Sequence, residues 1–144
     1  KLNLTREEVK EIAVREVEYA VAHGLHVSFV TEDTFRADMD FFVDRDISGD
    51  LFLTPERAGT GVEYYDESAP VEDLTSIDFA ADQVYRTSGI LAIPGYGYVF
   101  EMDGGDGFKR YGAVRVTHVG QSFLIMDWAF QTDPGNPELL VRGR

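Results

Sequence analysis

The sequence contains no cysteine, which excludes disulfide bonds, thiolate metal sites and cysteine nucleophiles. It also lacks any apolar run near the roughly 20 residues that a membrane-spanning helix needs, so we expect no transmembrane segment. Basic residues are few: 13 Lys and Arg stand against 26 Asp and Glu, for a formal net charge of -13. Such a balance repels phosphate backbones, and no stretch concentrates Lys and Arg, so we expect no nucleic-acid partner.

Apolar residues are plentiful despite these absences. Hydrophobic residues make up 44% of the 144 positions and aromatic residues 12%, which is enough for one packed interior. This composition argues against a globally disordered chain. We therefore expect an acidic domain that folds around one core.

Signals for a helix come first, within residues 1–43. Thr5 and Glu8 have the Thr-x-x-Glu spacing of a capping box, in which the two side chains bind free backbone N–H groups. Apolar residues then recur near a period of 3.6, and Gly24 suits the left-handed position that ends a helix. The apolar positions of this helix are Val9, Ile12, Ala13, Val17, Ala20 and Val21.

A strand and a second helix are predicted to follow. Residues 25–30 are a short β-branched run that is typical of a strand. Thr31 or Asp33 can cap a second short helix that ends near Val43. Its buried face would consist of Phe35, Met39 and Phe42. Residues 1–43 are therefore predicted to form a helix–strand–helix segment.

From Asp44 onward the hydrophobic pattern changes to a period of two, which is typical of strands. Gly, Pro and Asp residues interrupt it at positions where turns require them, and strands joined by such short turns are antiparallel neighbours. Residues 66–82 are predicted as a long acidic loop with one helical turn. The longer predicted strands are residues 83–92, 96–102, 111–119 and 122–131.

These patterns predict the α+β fold class. The helix–strand–helix segment would span residues 1–43, and an antiparallel β-sheet or sandwich meander would span residues 44–144. The two parts would close into one compact domain. The face of the last strand that we expect in the core consists of Leu124, Met126, Trp128 and Phe130.

A candidate calcium site lies where the pattern changes. Residues 44–51 match the first eight positions of an EF-hand loop, with carboxylates, a hydroxyl and a glycine at the appropriate places. The position of the bidentate glutamate is taken by Pro55, and Glu56 follows one residue late. A plain acidic turn is the alternative. The candidate calcium ligands are Asp44, Asp46, Ser48, Asp50 and Glu56.

No spacing of residues selects a catalytic site. Ser122, His118 and Asp127 could be drawn as a triad, but no serine lies in a nucleophile elbow. The carboxylates are too numerous for any spacing to select a catalytic pair. We therefore predict a non-catalytic protein.

The N-terminal segment, residues 2–40, resembles one unit of the HMGL-like barrel enzymes, the isopropylmalate, citramalate and homocitrate synthases. Residues 17–25 and 28–38 look like that family's helix, strand and Glu-Asp-x-x-Arg turn. The resemblance implies that Glu32, Asp33 and Arg36 would lie near a bound 2-oxo acid.

Other parts of that family have no counterpart in this sequence. There is no Arg-Asp-Gly-x-Gln segment and no His-x-His metal pair, whereas the family's condensation needs a divalent metal. The barrel also needs eight such units. The resemblance therefore implies a remnant or fragment of a metal-dependent acyl-CoA condensing enzyme, which would be cytoplasmic.

The second part of the chain resembles HmuY-like proteins, the secreted haem-binding β proteins of bacterial surfaces. Residues 97–100, 111–116 and 123–133 look like that family's final three strands. The resemblance implies an extracellular or cell-surface location and haem as a ligand. The candidate cofactor-binding residue is His118, the only histidine in this half, which simple alternation places on the face of Val114 and Val116.

Three functional hypotheses follow. The leading one is a secreted, non-catalytic binding or assembly module whose partner is a small hydrophobic ligand or a second copy of the chain. The HmuY-like resemblance implies that this ligand is haem. The alternative is a fragment of an HMGL-like condensing enzyme. The third is an engineered chimera, joined near residues 40–50, without native activity.

Overall fold

The structure is a computed structural model that describes residues 5–24, 41–121 and 123–140. The chain divides into two compact units, Lys1–Thr34 and Phe35–Arg144. The sequence pattern had indicated a boundary after residue 43. That boundary stays a prediction.

The described part of the first unit is the helix α1, Arg6–Ala22. Its capping box is confirmed: the Thr5 hydroxyl oxygen accepts a hydrogen bond from the Glu8 N–H at 3.3 Å, and the Glu8 carboxylate accepts one from the Thr5 N–H at 2.7 Å. The backbone bond from Thr5 is the main reason that the pKa of Glu8 is lowered. Gly24 follows the helix in the left-handed region, with φ of +75°. Among the described residues, no helix is both long and apolar enough to cross a membrane.

The apolar stripe predicted for α1 is only partly buried. Val17 is 5% exposed, whereas Val9 and Ile12 are 51% and 36% exposed. Tyr19 is also exposed, and its ring lies 4.1 Å from that of His23 between centroids. The helix thus buries the middle of its predicted face and leaves the first turns in contact with solvent.

The predicted strand at residues 25–30 and most of the predicted second helix lie outside the described residues. The end of that helix does not, and there the prediction is wrong. Phe41–Arg45 form a β-strand, β1, which pairs along its whole length with the next strand. Every residue of β1 after Phe41 is exposed, so Phe42 is 43% exposed rather than buried.

The described part of the second unit contains two antiparallel sheets, which confirms the α+β prediction. One sheet has three strands in the order β1–β2–β4, and the other has four in the order β3–β5–β6–β7. The strands after β1 are β2 (Leu51–Pro55), β3 (Thr60–Tyr64), β4 (Ile90–Leu91), β5 (Gly97–Asp103), β6 (Lys109–Val119) and β7 (Leu124–Phe130).

The two sheets share a hydrophobic core. Leu53 of β2 and Ile90 of β4 belong to the same buried cluster as Phe100 of β5 and Val114 of β6. Phe100 is fully buried, and its ring stacks on that of Phe41 with 4.8 Å between centroids. The predicted core face of the last strand packs against this cluster and is partly buried; its residues are Leu124, Met126, Trp128 and Phe130.

A second buried cluster covers the opposite face of the four-stranded sheet. Val99 of β5 and Ala113 of β6 contact apolar residues from the acidic segment 66–82 and Leu139 from near the end of the chain. The helical turn predicted within that segment is a short 3₁₀ helix, Leu74–Ser76. The four-stranded sheet is therefore buried on both faces, which explains the near-continuous burial of β5.

The acidic segment 66–82, which covers this face of the sheet, packs closely against Gly97. A Cβ atom at this position would lie 2.7 Å from the Ile77 side chain. Arg115 adds a hydrogen bond from its Nε to the Val71 carbonyl at 3.1 Å. Glycine at position 97 thus lets the covering segment pack directly on the strand.

Candidate functional site

A surface cleft of about 770 Å³ lies in the second unit, beside the outer edge of β3. Its walls come from the end of β3, from the acidic segment after it and from the chain that leads towards β4. We call it the β3 cleft. Its lining residues are Glu63, Tyr64, Tyr65, Asp66, Glu67, Asp78, Phe79, Ala81, Gln83, Val84 and Arg86.

One wall of the β3 cleft is fixed by Arg86. Its backbone exchanges hydrogen bonds with Val62 of β3, at 2.8 Å and 3.1 Å. Its guanidinium binds both oxygens of Glu63, at 2.7 Å and 3.0 Å, and lies 5.9 Å from the centre of the Tyr64 ring. Such a two-point contact holds the planar guanidinium in one orientation. The only basic group of the lining is therefore already paired.

The other wall is fixed by the two tyrosines that end β3. The Tyr65 hydroxyl donates a hydrogen bond to the Asp78 carboxylate at 2.7 Å, and this bond is the main reason that the pKa of Tyr65 is raised. The Tyr64 hydroxyl donates to the Leu91 carbonyl at 3.1 Å, and burial raises the pKa of Tyr64. These bonds connect the end of β3 to the acidic segment at Asp78 and to β4 at Leu91.

The sequence did not single out the β3 cleft. Its charged residues lie up to 23 positions apart, and only the pairing of residues 62 and 86 brings them together. The sequence did indicate that residues 66–82, which supply part of the lining, are acidic and irregular. Nothing in one sequence links such a stretch to a distant arginine.

The candidate calcium loop is the turn of a β-hairpin. Residues 46–50 connect β1 to β2, and the Asp46 carboxylate accepts hydrogen bonds from the N–H groups of Ser48 and Asp50, at 2.8 Å and 2.9 Å. The Asp44 carboxylate accepts one from the neighbouring Arg45 N–H. These four candidate ligands, Asp44, Asp46, Ser48 and Asp50, are thus exposed at the turn end of the β1–β2 hairpin.

The fifth candidate ligand does not join them. Glu56 follows Pro55, which pairs with Phe41 at the far end of the hairpin. A strand of five residues spans about 17 Å, so β2 holds Glu56 away from the turn. No group of three or more His, Cys, Asp or Glu side chains in the described part of the chain could hold a metal ion. Calcium binding at the turn stays a prediction.

His118 lies at an irregularity of the β6–β7 pair. The register shifts between Val116 and His118, so that His118 pairs with Ile125 while Val116 pairs with Met126. The shift places His118 on the opposite face from Val116, because Ile125 and Met126 are adjacent in β7. The prediction that His118 shares the face of Val114 and Val116 is therefore wrong, since simple alternation does not allow for a bulge.

The surroundings of His118 are apolar. Its ring lies 5.6 Å from that of Phe123, and its Nε2 atom is buried without a hydrogen-bond partner in the described structure. The role of His118 in cofactor binding stays a prediction. The family-implied residues Glu32, Asp33 and Arg36 lie outside the described residues.

Partial relatives of the chain are citramalate and 2-isopropylmalate synthases by name. The putative (R)-citramalate synthase of Methanothermobacter thermautotrophicus is 58% identical over 41 residues, which are 28% of this chain and 8% of that protein. The (R)-citramalate synthase of Methanocaldococcus jannaschii is 46% identical over 59 residues, 41% of this chain and 11% of that protein. The probable 2-isopropylmalate synthase of Methanopyrus kandleri is 34% identical over 84 residues, 54% of this chain and 17% of that protein.

These matches support the resemblance to HMGL-like synthases over part of the chain. The chain spans less than a fifth of the length of the curated relatives it matches. No family model matches the chain, and no solved structure matches it significantly. None of the reported relatives is a secreted haem-binding protein, so the HmuY-like resemblance receives no support from them.

The prediction of a non-catalytic protein is contradicted by these relatives, which are synthases. That prediction followed from the absence of a nucleophile elbow and of any spacing that selects a pair of carboxylates. That reasoning does not hold for a chain that matches only a small part of its relatives, because catalytic groups can lie in the remainder of such an enzyme.

Proposed function

We propose that the chain is part of an acyl-condensing enzyme of the citramalate, homocitrate and 2-isopropylmalate synthase type. The observation that supports this proposal is the similarity to synthases of that type over 41 to 84 residues. The segment that carries the resemblance in this sequence, residues 2–40, is nearly as long as the shorter matches. In this proposal it contributes one helix–strand element to the enzyme.

The proposed element acts on the 2-oxo acid rather than on a metal. The described residues contain no cluster that fits a divalent metal, and the sequence has no His-x-His pair. In this proposal the metal ligands of the condensation come from another part of the enzyme. Arg36 is the residue of the Glu-Asp-x-x-Arg turn that suits a carboxylate, because a guanidinium pairs with it through two parallel hydrogen bonds.

This proposal also changes the expected location. The cytoplasmic alternative was tied to the barrel resemblance, and the extracellular one to the HmuY-like resemblance. Under the proposed function the cytoplasmic expectation applies. The hypothesis of an engineered chimera stays untested.

A graft tests the proposed function directly. In the 2-isopropylmalate synthase of M. jannaschii, which is 33% identical over 64 residues, the matched stretch would be exchanged for the residues of this chain. We expect the graft to release thiol from acetyl-CoA with a 2-oxo acid and a divalent metal, because the exchanged element would present the same groups. A graft that folds like its parent but releases no thiol would show the proposal to be wrong.

Two variants of the graft test whether its activity depends on Arg36. Arg36→Ala should lower kcat/KM by roughly ten- to a hundredfold, the range expected for losing hydrogen bonds to a charged group. Arg15→Ala is the matched control, because Arg15 lies on α1 with its side chain 70% exposed and pairs only with the neighbouring Glu16 among the described residues. Equal losses in the two variants would contradict the role of Arg36.

A further inference from the structure

The β3 cleft carries an excess of negative charge. Four carboxylates line it, those of Glu63, Asp66, Glu67 and Asp78, against the single guanidinium of Arg86. Glu63 neutralises Arg86 through their two-point contact. The other carboxylates face the cleft without a basic partner among its lining residues. Asp78 accepts a hydrogen bond from the Tyr65 hydroxyl and Asp66 accepts two from Ser68, so these carboxylates are hydrogen-bonded but not neutralised by a basic group of the lining. A cation entering the cleft would therefore meet negative charge that is not neutralised there.

The same cleft exposes apolar side chains. Phe79 is 51% exposed and Val84 is 88% exposed, although both are large and apolar. Both line the cleft, and neither belongs to the two buried clusters. Exposed apolar side chains that gather at a cavity mark a surface that contacts a ligand. The lining thus offers an apolar surface next to the carboxylates.

The walls of the cleft are held in place before any ligand arrives. Arg86 is fastened to Val62 by two backbone hydrogen bonds, and Tyr65 is fastened to Asp78 through its hydroxyl. Phe79 forms a backbone bridge with Glu138, near the end of the chain. A preformed site loses little conformational entropy on binding, which favours affinity for a small ligand.

We propose that the β3 cleft binds an organic cation that carries its charge on an apolar stem. The ammonium or guanidinium head would lie among Asp66, Glu67 and Asp78, and the stem would lie along Phe79 and Val84. The volume of about 770 Å³ falls within the range of small-molecule sites. The cation can be a free amine or the side chain of a lysine or arginine in a peptide. This inference does not depend on the proposed synthase function.

Titration of the full chain with hexylammonium tests the proposal. Backbone amide shifts should change saturably around residues 63–67 and 78–86, and the apparent affinity should fall as NaCl screens the carboxylates. Hexanoate has the same stem with the opposite charge, and methylammonium has the charge without the stem. We expect both to bind at least tenfold more weakly. Equal responses to hexylammonium and hexanoate would overturn the proposal.

Substitutions in the cleft give a second, independent readout. Glu67→Gln and Asp78→Asn should each weaken hexylammonium binding by about two- to fivefold, since each removes one charge at an exposed site. Asn at position 78 keeps an oxygen that can accept the Tyr65 hydrogen bond. The matched control is Glu72→Gln, which removes an exposed carboxylate outside the cleft. If Glu72→Gln weakens binding as much as the cleft variants, only the overall charge of the chain matters and the proposed site is wrong.

The stem contact and the source of the cation are tested in the same assay. Phe79→Ala should reduce the preference for hexylammonium over methylammonium, because the stem would lose an apolar contact. A peptide containing one blocked lysine that binds more tightly than hexylammonium would identify a protein side chain as the occupant. Tighter binding of the free amine would identify a small molecule. Absence of saturable binding by either probe would overturn the proposal.

Discussion

At the scale of single residues, two tyrosine hydroxyls lie in surroundings that oppose ionisation. The Tyr98 hydroxyl accepts a hydrogen bond from the Ile93 N–H and donates one to the Leu91 carbonyl, and burial strongly raises the pKa of Tyr98. Tyr85 donates to the Ala81 carbonyl at 2.8 Å. Burial, followed by the charge of Glu101, raises the pKa of Tyr85 to about 12. Both groups stay protonated in the fold at pH values where an unfolded chain loses those protons.

These pKa values predict a loss of stability at high pH. Above pH 10 the unfolded chain releases the tyrosine protons and the folded chain keeps them, so the free energy of unfolding falls as the pH rises from 10 to 12. Below pH 10 this contribution is fully present. Urea unfolding at several pH values measures it. The Tyr85→Phe variant should lose less stability over that interval, and an equal loss would contradict the assignment.

Residue-scale features were predictable where the cause is local. The Thr5–Glu8 capping box depends on four consecutive residues, so its spacing alone identified it. The face of His118 depends on the register of β6 against β7, which a bulge shifts after Val116. A sequence pattern carries no sign of that shift, because the bulge is fixed by the pairing of two strands.

At the scale of elements, the hairpin of β1 and β2 uses its acidic residues for its own turn. The Asp46 carboxylate accepts two backbone hydrogen bonds, and its backbone N–H donates to the Asp50 carbonyl at 3.0 Å. A calcium ion at this turn would have to replace those bonds. It would also lack Glu56, which lies at the other end of β2.

We therefore expect calcium to leave the melting temperature of the chain unchanged relative to a chelator. Asp46→Ala should lower the melting temperature equally with and without calcium, because the turn loses its acceptor in both conditions. Asp44→Ala is the comparison variant, since the Asp44 carboxylate accepts only the N–H of Arg45 among the contacts described. A rise in melting temperature with calcium that Asp46→Ala abolishes would establish the calcium site.

The strands that were predicted well are the ones joined by short turns. The predictions for residues 96–102, 111–119 and 122–131 correspond to β5, β6 and β7. The predicted strand at residues 83–92 forms regular pairing only at Ile90–Leu91. One residue of that stretch, Arg86, pairs with β3 of the four-stranded sheet, and two residues pair with β2 of the three-stranded sheet. Because its pairing is divided between two strands, the stretch does not form one long strand.

At the scale of the whole molecule, Phe100 connects the two sheets. It is fully buried in the shared cluster and stacks on Phe41 across the interface. Phe100→Ala should lower the free energy of unfolding by about 3–5 kcal/mol, because it removes a large side chain from a packed core. Phe108→Ala should cost less than about 1 kcal/mol, since Phe108 is 56% exposed. Denaturant unfolding of both variants measures the difference, and similar losses would contradict the role of Phe100.

The fold class was predictable from the change of hydrophobic period, and the functional relation was only partly so. The period of two after residue 44 indicated the antiparallel sheets that the structure shows. A resemblance to synthases was visible in residues 17–25 and 28–38, but the prediction of a non-catalytic protein is contradicted by the synthase relatives. The β3 cleft depends on the packing of segments far apart in sequence, which periodicity does not describe.

Residues 137–139, near the end of the described chain, are hydrogen-bonded to the segment that lines the β3 cleft. Ala80 donates its N–H to the Pro137 carbonyl at 2.8 Å, and Leu139 donates to the Asp78 carbonyl at 2.7 Å. These bonds hold Asp78 and Phe79 against residues 137–139, while the side chains of both residues line the β3 cleft. Detaching residues 137–139 would let Asp78 and Phe79 move, so the cleft would adopt more shapes. A ligand that binds only the ordered cleft would, by reciprocity, stabilise the attachment of residues 137–139.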